Sequence, residues 1–140
     1  MCLTLGYPDR TSERALLSGV DRREAIGGLR AVMTPVQLQS AQKAVQAVHA
    51  SDALLDYLQA LIAATRSGAW FVQGLSPRAG IAVMRAAKAQ ALLAGRDYVA
   101  PDDIQSILPQ SIAHRLIPVG DAGRGPVEQV RAMVDAVALP

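Results

Sequence analysis

The sequence predicts an all-α protein, a bundle of about four to six helices in which extended segments are at most very short. Its 140 residues suit one ordinary domain built around one hydrophobic core. Hydrophobic residues make up 51% of the chain, yet only three Tyr, one Trp and one Phe are aromatic. The apolar content therefore comes from Ala, Leu, Val and Ile at helical spacing, which favours packed helices over a β-sandwich.

Several segments of the chain carry a helical pattern of apolar residues or a helix start signal. In chain order they are 9–20, 23–31 (a short helix or turn), 35–49, 52–66, 77–95, 101–114 and 127–137. Residues 1–7 are apolar and are followed by Pro8-Asp9, a pattern typical of the end of a strand whose sheet is missing. The stretch 118–126 is rich in Gly and Pro and predicts a loop or linker.

Three of the helices have a clear start signal. A cap residue followed by proline opens two of them, through Thr34-Pro35 and Ser76-Pro77, and Ser51 caps a third. Within the segments, apolar residues spaced by three and four are expected to face the core. These residues are Ala15, Leu16, Val20, Leu38, Ala41, Val45, Val48, Leu54, Leu58, Leu61, Ile62, Thr65, Ile81, Met84, the alkyl stem of Lys88, Ala91, Leu92, Ile104, Ile107, Leu108, Val127, Val130, Val134 and Val137.

Charge and cysteine content exclude several classes of protein. The longest uncharged stretches, 31–42 and 67–77, are shorter than the about 18–20 apolar residues of a membrane span, so none is predicted. Basic and acidic residues are interspersed with a net charge of +2, which argues against a nucleic-acid partner. One cysteine and two histidines are too few for a disulfide or a structural zinc site. The N-terminus lacks the pattern of a signal peptide, which predicts a cytoplasmic protein.

Arg78 is the most informative single residue, because it occupies the second position of the helix opened by Ser76-Pro77. A cation there opposes the positive end of the helix macrodipole, at a cost of about 0.3–1 kcal/mol. A bound anion such as a polyphosphate would reverse the sign of this interaction, since free amides and the guanidinium would bind it together. From the residues alone, the alternative that Arg78 is solvated or pairs with a nearby carboxylate stays open.

Other polar residues have ordinary structural explanations. Lys43 and Lys88 lie inside predicted helices and neither ends a phosphate-binding loop, while the glycine cluster 120–125 fits no nucleotide-binding spacing. Asp102 and Asp103 follow a proline in a first helical turn, where acids interact favourably with the helix dipole. None of these residues requires a catalytic or metal-binding role.

Two histidines and two aromatic residues complete the candidates. His49 and His114 stand at predicted helix C-termini, where an imidazole can bond terminal carbonyls. Trp70 and Phe71 lie in an apolar loop and have two interpretations. They either contact a neighbouring protein or, as is commoner, fold back onto their own core.

Several stretches of sequence together carry a resemblance to a known family. They are Leu5-Gly6-Tyr7-Pro8-Asp9-Arg10, Val48-His49-Ala50-Ser51-Asp52, Leu54-Leu55-Asp56-Tyr57, Leu75-Ser76-Pro77-Arg78-Ala79, Arg85-Ala86-Ala87-Lys88-Ala89, Leu92-Leu93-Ala94-Gly95-Arg96-Asp97-Tyr98-Val99-Ala100-Pro101-Asp102-Asp103-Ile104 and Ala113-His114-Arg115-Leu116. In these stretches the chain resembles the C-terminal lid domain of MoxR-type AAA+ ATPases, which is related to the lid of magnesium-chelatase ATPase subunits. The resemblance spans nearly the whole chain, and its combined motifs are far more specific than any one of them.

The resemblance implies an ATP-binding role for particular residues. It makes Arg78 the sensor-2 arginine, which reaches nucleotide phosphates held by a preceding α/β core, and it groups Ala79 with the nucleotide-binding residues. Tyr7 and Pro8 would lie at the hinge between core and lid, near the adenine pocket. ATP and Mg²⁺ are the implied ligands of the intact protein, with none expected on the lid alone. Such ATPases generally form rings, usually hexameric, act in chaperone-like remodelling, and often have partners with von Willebrand factor A domains.

The resemblance also implies a division of the chain. Residues 1–10 would form the hinge from an AAA+ core, 11–117 the helical lid, and 118–140 a loop and a C-terminal helix packed on the lid. The phosphate loop, the magnesium-binding strand, sensor 1 and the arginine finger would precede Met1, so the chain is expected to be a fragment without ATPase activity of its own.

Two other functions compete with this interpretation. The alternative is a stand-alone helical module for protein interaction or oligomerisation, in which Leu3, Leu5 and Tyr7 mediate self-association. DNA binding through a helix-turn-helix is disfavoured by the mixed charges.

Overall fold

Six α-helices and one short 3-10 helix make up the computed structural model, which describes residues 1–19, 26–120, 123 and 125–139. The helices are α1 (Arg10–Ser18), α2 (Pro35–Ala47), α3 (Asp52–Arg66), α4 (Pro77–Leu93), α5 (Pro101–Ile112) and α6 (Pro126–Ala136), and the 3-10 helix is Ala113–Arg115. Within the described residues two isolated β-bridges take the place of a sheet. The predicted all-α fold is confirmed.

The predicted helix starts form through the capping residues that the sequence indicates. The Thr34 hydroxyl accepts a hydrogen bond from the Gln37 amide at 3.3 Å, and the Gln37 side chain accepts one from the Thr34 amide at 2.8 Å. Ser51 likewise accepts from the Leu54 amide at 3.3 Å. These bonds satisfy amides that would otherwise have no partner in the first helical turn.

The N-terminal part of the chain differs from the prediction. Residues 1–9 form no strand. The Cys2 amide donates a 2.7 Å hydrogen bond to the Gln110 carbonyl, which connects this segment to α5. Helix α1 has no buried residue, so Leu16 does not join the core. Val20, and residues 23–25 of the short helix or turn predicted over 23–31, lie outside the described residues.

The core is formed mainly by α3, α4, α5 and α6, with α5 packed against α4 and α6. Its largest fully buried side chains are Phe71, Leu61, Ile104, Leu108, Ile112, Met133, Val83, Val130 and Thr65. The predicted inward faces of α3, α5 and α6 are largely confirmed, since they bury Leu54, Leu58, Leu61, Thr65, Ile104, Ile107, Leu108, Val130 and Val134. In the described residues, no helix combines the length and apolar character required to cross a bilayer.

The predicted inward face of α4 is partly wrong. Its buried residues are Ala79, Gly80, Val83, Ala87 and Ala91, while Ile81 is 55% exposed. The reason is close packing: a Cβ placed on Gly80 would lie 2.6 Å from Cδ1 of Ile62 in α3. Small residues therefore occupy this contact and Ile81 points elsewhere, while Met84 and Leu92 pack partly buried against the core as predicted. The prediction that Leu38 of α2 faces the core is also wrong, because this side chain is 51% exposed.

The aromatic loop between α3 and α4 packs inward. Phe71 is fully buried, with 0% exposure, and Trp70 packs partly buried against the same core. The Val72 amide donates to the Ile117 carbonyl at 2.9 Å, and the Val119 amide donates to the Trp70 carbonyl at 3.0 Å. Of the two interpretations of this loop, packing on its own core is confirmed.

Candidate functional site

Arg78 lies where the sequence predicts it, at the second residue of α4, and its side chain is exposed. In the part of the chain that the structure describes, the single ion pair is Arg96–Asp103, and no hydrogen bond is recorded for the Arg78 guanidinium. The alternative that Arg78 pairs with a nearby carboxylate therefore finds no partner among these residues. Its charge stays available at the positive end of a helix.

The first turn of α4 leaves one backbone amide without a partner. Pro77 has no N–H, the Ala79 amide donates to the Ser76 hydroxyl at 3.4 Å and its carbonyl at 3.0 Å, and the Gly80 amide reaches the same carbonyl at 3.4 Å. Among the described hydrogen bonds none uses the Arg78 amide. An anion at this end of α4 would therefore meet the amide and the guanidinium of the same residue.

The start of α4 is fixed to the end of α3 through Leu75. The Leu75 amide donates to the Thr65 hydroxyl at 3.1 Å, and the Leu75 carbonyl accepts from Nε of Arg66 at 2.8 Å. The Thr65 hydroxyl donates in turn to the Ile62 carbonyl at 2.6 Å. Gly74 allows this close approach, since a Cβ there would lie 2.7 Å from Cα of Arg66. These contacts set the direction in which α4, and with it Arg78, leaves the bundle.

Replacement of Thr65 by valine tests this attachment. Valine keeps the shape of the fully buried threonine but removes the acceptor of the Leu75 amide, which would then be buried without a partner. We expect the free energy of unfolding to fall by about 1–2 kcal/mol, as measured by urea denaturation. Thr65→Ser, which keeps the hydroxyl, should retain the 3.1 Å bond and lose only methyl packing. Equal losses in the two variants would contradict a role for the hydrogen bond.

The other predicted nucleotide-site residues have separate positions. Tyr7 and Pro8 are exposed just before α1, whose cap Asp9 accepts from the Ser12 amide at 2.7 Å. That hydrogen bond lowers the pKa of Asp9. Ala79 is buried at 3% exposure, and its amide already has Ser76 as partner. Its side chain therefore contributes packing, and no described hydrogen bond connects Tyr7 with Arg78.

An unpredicted ion pair organises the turn between α4 and α5. The guanidinium of Arg96 donates to both carboxylate oxygens of Asp103, at 2.6 and 2.8 Å, and the Ala100 amide adds a bond of 2.8 Å. Arg96 also lies 5.6 Å from the centre of the Tyr98 ring. The bonds from Arg96 lower the pKa of the Asp103 carboxyl, against the opposing effect of burial. The sequence explains Asp103 as a partner of the helix dipole, and the structure adds this bidentate contact.

The two histidines do not cap helix carbonyls as the sequence suggested. His49 follows the end of α2 and forms a bridge with Tyr98 through backbone bonds, while Nε2 of His114 accepts a hydrogen bond from Nε of Arg115 at 3.2 Å. Lys88 donates from Nζ to the Gln46 carbonyl at 3.3 Å. Across the described ranges, His, Cys, Asp and Glu residues form no group of three that could hold a metal ion.

Sequence similarity decides the family. The AAA lid domain family matches residues 63–136, which is more than half of the chain. The chain belongs to the AAA lid domain family. The match covers α4 with Arg78, the Arg96–Asp103 pair and all of α6, so these parts of the structure belong to an AAA lid domain.

Individual relatives place the lid domain within one group of ATPases. The protein YeaC of Bacillus subtilis is 36% identical over 99% of this chain and 44% of its own length. Chaperone MoxR1 of Mycobacterium tuberculosis is 29% identical over 99% of this chain and 39% of its length. Protein MoxR of Methylorubrum extorquens is 37% identical over 48% of the chain and 21% of its length. The resemblance to the C-terminal lid of MoxR-type AAA+ ATPases is thereby confirmed.

A solved structure agrees with this placement. A candidate ATPase from Cytophaga hutchinsonii superposes with a TM-score of 0.76 at 25% sequence identity, over 97% of this chain and 45% of that protein. The lid domain thus spans less than half the length of the relatives that it matches along its whole length.

Proposed function

We propose that this lid domain contributes Arg78 to an ATP site whose other groups belong to an AAA+ core, and that it couples nucleotide state to chaperone-like remodelling. The observation that carries the proposal is the exposed Arg78 guanidinium beside the unpartnered amide of the same residue at the start of α4. Both groups attract phosphate, and the helix that holds them is attached to α3 through Leu75. The AAA lid domain family and the similar candidate ATPase of Cytophaga hutchinsonii support the choice of ATP as the anion.

The chemistry follows from the position of the charge. Guanidinium is a strong, always protonated partner for phosphate oxygens, and it binds them through charge-assisted hydrogen bonds. A cation on a movable lid that reaches the terminal phosphate stabilises the closed arrangement of lid and core more with ATP than with ADP. Loss of the γ-phosphate then favours opening, so hydrolysis drives a motion of the lid.

The remaining parts of the proposal concern the intact ATPase. Residues 1–10, with Tyr7 and Pro8, act as the hinge near the adenine, 11–117 form the moving lid, and 118–140 pack on it. Mg²⁺ is held by the core, the subunits form a ring in the cytoplasm, and proteins with von Willebrand factor A domains are its partners. The exposed Tyr7 at the N-terminal end of the lid supports the hinge assignment.

Replacement of Arg78 by alanine in the ATPase that joins this lid to its AAA+ core tests the proposal. We expect the rate of ATP hydrolysis to fall by about ten- to a hundredfold, because a charge that stabilises the phosphates in the transition state is lost. The melting temperature of the lid should stay the same or rise slightly, since the Arg78 side chain is exposed and unbonded in the described structure and its charge opposes the helix dipole. The lid alone is expected to hydrolyse no ATP.

A matched control separates this effect from a general change of charge. Arg131 is an exposed arginine on α6, so Arg131→Ala removes the same charge elsewhere on the lid. Hydrolysis should continue at the wild-type rate in this variant. If Arg78→Ala also leaves turnover and nucleotide affinity unchanged, the assignment of Arg78 is wrong.

A second function is favoured by the exposed apolar residues of the N-terminal part. Leu5, Tyr7 and Val32 are 99%, 101% and 102% exposed, which is unusual for large hydrophobic side chains. A stand-alone oligomerisation module would use such a surface to associate with itself. Light scattering of the 140-residue chain distinguishes the two, because a monomer at high concentration would contradict self-association.

A further inference from the structure

An open groove runs along α4 on the side that the core does not cover. Helices α2, α3 and α4 line it, and its volume is about 930 Å³. Its large apolar side chains are Val45, Leu55, Leu58, Ile62, Ile81 and Met84. They include Ile81 of α4, which stays 55% exposed, and Met84, which packs partly buried against the core. The lid domain thus presents a hydrophobic face with no covering element in the described part of the chain.

The shape of the groove suits an elongated occupant. Lining residues extend from Leu55 to Arg66 on α3 and from Pro77 to Lys88 on α4. Each stretch covers about three helical turns, or roughly 17 Å at 1.5 Å per residue. Leu55 and Ile81 are 47% and 55% exposed, so the groove is open to solvent along its length. A small molecule would stay largely exposed here, whereas a helix can lay one apolar face into such a groove.

The charges around the groove all have one sign. Arg66, Arg85 and Lys88 are the charged residues of the lining, and none of the lining residues is acidic. In the described residues none of the three has a carboxylate at ion-pair distance. Nε of Arg66 and Nζ of Lys88 bond backbone carbonyls, which do not neutralise their positive charge. An occupant that carries acidic residues beside its apolar face would complement this charge.

We infer that the groove binds an amphipathic helix of a partner protein, about three turns long, with acidic residues flanking its apolar face. The apolar residues of that helix would lie against Leu58, Ile62 and Met84 in the floor and walls. Its carboxylates would meet Arg66 at one end and Lys88 at the other. Arg78 is not part of the lining, although one end of the groove reaches Pro77 next to it, so the two proposed contacts use different side chains.

Fluorescence anisotropy with the 140-residue chain tests the inference. The probe is a labelled synthetic helical peptide of roughly 14 residues, with Leu at positions i, i+3, i+4 and i+7 and Glu on both sides of them. We expect this peptide to bind, and to bind more weakly at high salt because exposed charges are screened. A peptide with Lys in place of every Glu should bind at least about tenfold more weakly.

Two variants of the groove and two matched controls locate the binding. Ile81→Asp and the double change Arg85→Glu, Lys88→Glu should each weaken binding of the acidic peptide by about tenfold or more. Leu93→Asp, at a residue of α4 that is 85% exposed and outside the groove, and Arg131→Glu on α6 should not weaken it. Circular dichroism checks that each variant keeps its helical content.

Three results would overturn the inference. The first is that the acidic peptide does not bind, and the second is that the groove variants bind it as well as the controls do. The third is self-association of the chain that Ile81→Asp abolishes, as seen by light scattering, which would assign the groove to a second copy instead.

Discussion

Replacing Phe71 with alanine is expected to lower the free energy of unfolding by about 3–5 kcal/mol, the largest effect among the substitutions considered. Phe71 is the largest of the fully buried side chains, and its 0% exposure means that truncation leaves a cavity lined by core residues. The lid has a single tryptophan, Trp70, directly beside this position. Urea unfolding followed by the fluorescence of Trp70 and by circular dichroism therefore measures the loss.

The neighbouring residue supplies the control. Val72 is 69% exposed, so Val72→Ala should change the free energy of unfolding by no more than about 0.5 kcal/mol. This pair of variants also distinguishes the two interpretations of the aromatic loop. A Phe71→Ala variant as stable as the wild type would mean that the side chain does not support the core of the lid.

The helix starts could be predicted from the sequence because each depends on a few adjacent residues. Thr34-Pro35 and Ser76-Pro77 form the caps that their order indicates. The face that a helix buries depends instead on its packing partner. On α4, hydrophobicity alone predicts that Ile81 is buried. The close approach of Ile62 to Gly80 instead requires small residues where α4 meets α3. Hydrophobic spacing contains no information about that distance.

For the candidate site, too, the sequence predicts the local features but not the contacts between distant residues. The place of Arg78 at a helix start and its conflict with the helix dipole follow from three consecutive residues. The attachment of that helix does not, because Thr65 and Leu75 are ten residues apart and meet only through the path of the loop. The Arg96–Asp103 pair was missed for the same reason, although opposite charges seven residues apart around a turn were a usable signal.

Both proposed activities of the lid depend on the placement of α4. Arg78 lies at its first turn, and Ile81, Arg85 and Lys88 lie on the turns that follow. A motion of α4 driven by nucleotide would therefore displace the groove together with the guanidinium. The bonds of Leu75 to Thr65 and Arg66 join the start of α4 to the end of α3, so we expect these two helices to move together with the side of the groove that they form.

Replacement of Asp103 by asparagine is expected to destabilise the lid by about 2–4 kcal/mol. The carboxylate side chain is 5% exposed and accepts two bonds from Arg96 and one from the Ala100 amide. An amide presents one acceptor and one donor, so it leaves a donor of Arg96 facing another donor. The expected loss is below that of a fully buried pair, because Arg96 is 28% exposed. Asp102→Asn, at the exposed neighbour, should be nearly neutral in urea denaturation.

The dependence of this loss on pH distinguishes the charge from the shape of the side chain. Hydrogen bonds from Arg96 lower the pKa of Asp103 below the ordinary value of 3.8, although burial acts in the opposite direction. The stability that the carboxylate contributes is therefore fully present above 3.8 and is lost as the pH falls through the lower pKa of the folded state. The difference between wild type and Asp103→Asn should stay constant down to about pH 5 and shrink below about pH 4. The pKa of Asp9 is also lowered, but Asp9 is present in both proteins, so its contribution to the free energy of unfolding cancels from the difference. A difference that persists unchanged to about pH 2 would mean that the geometry of the side chain, and not its charge, supports the turn between α4 and α5.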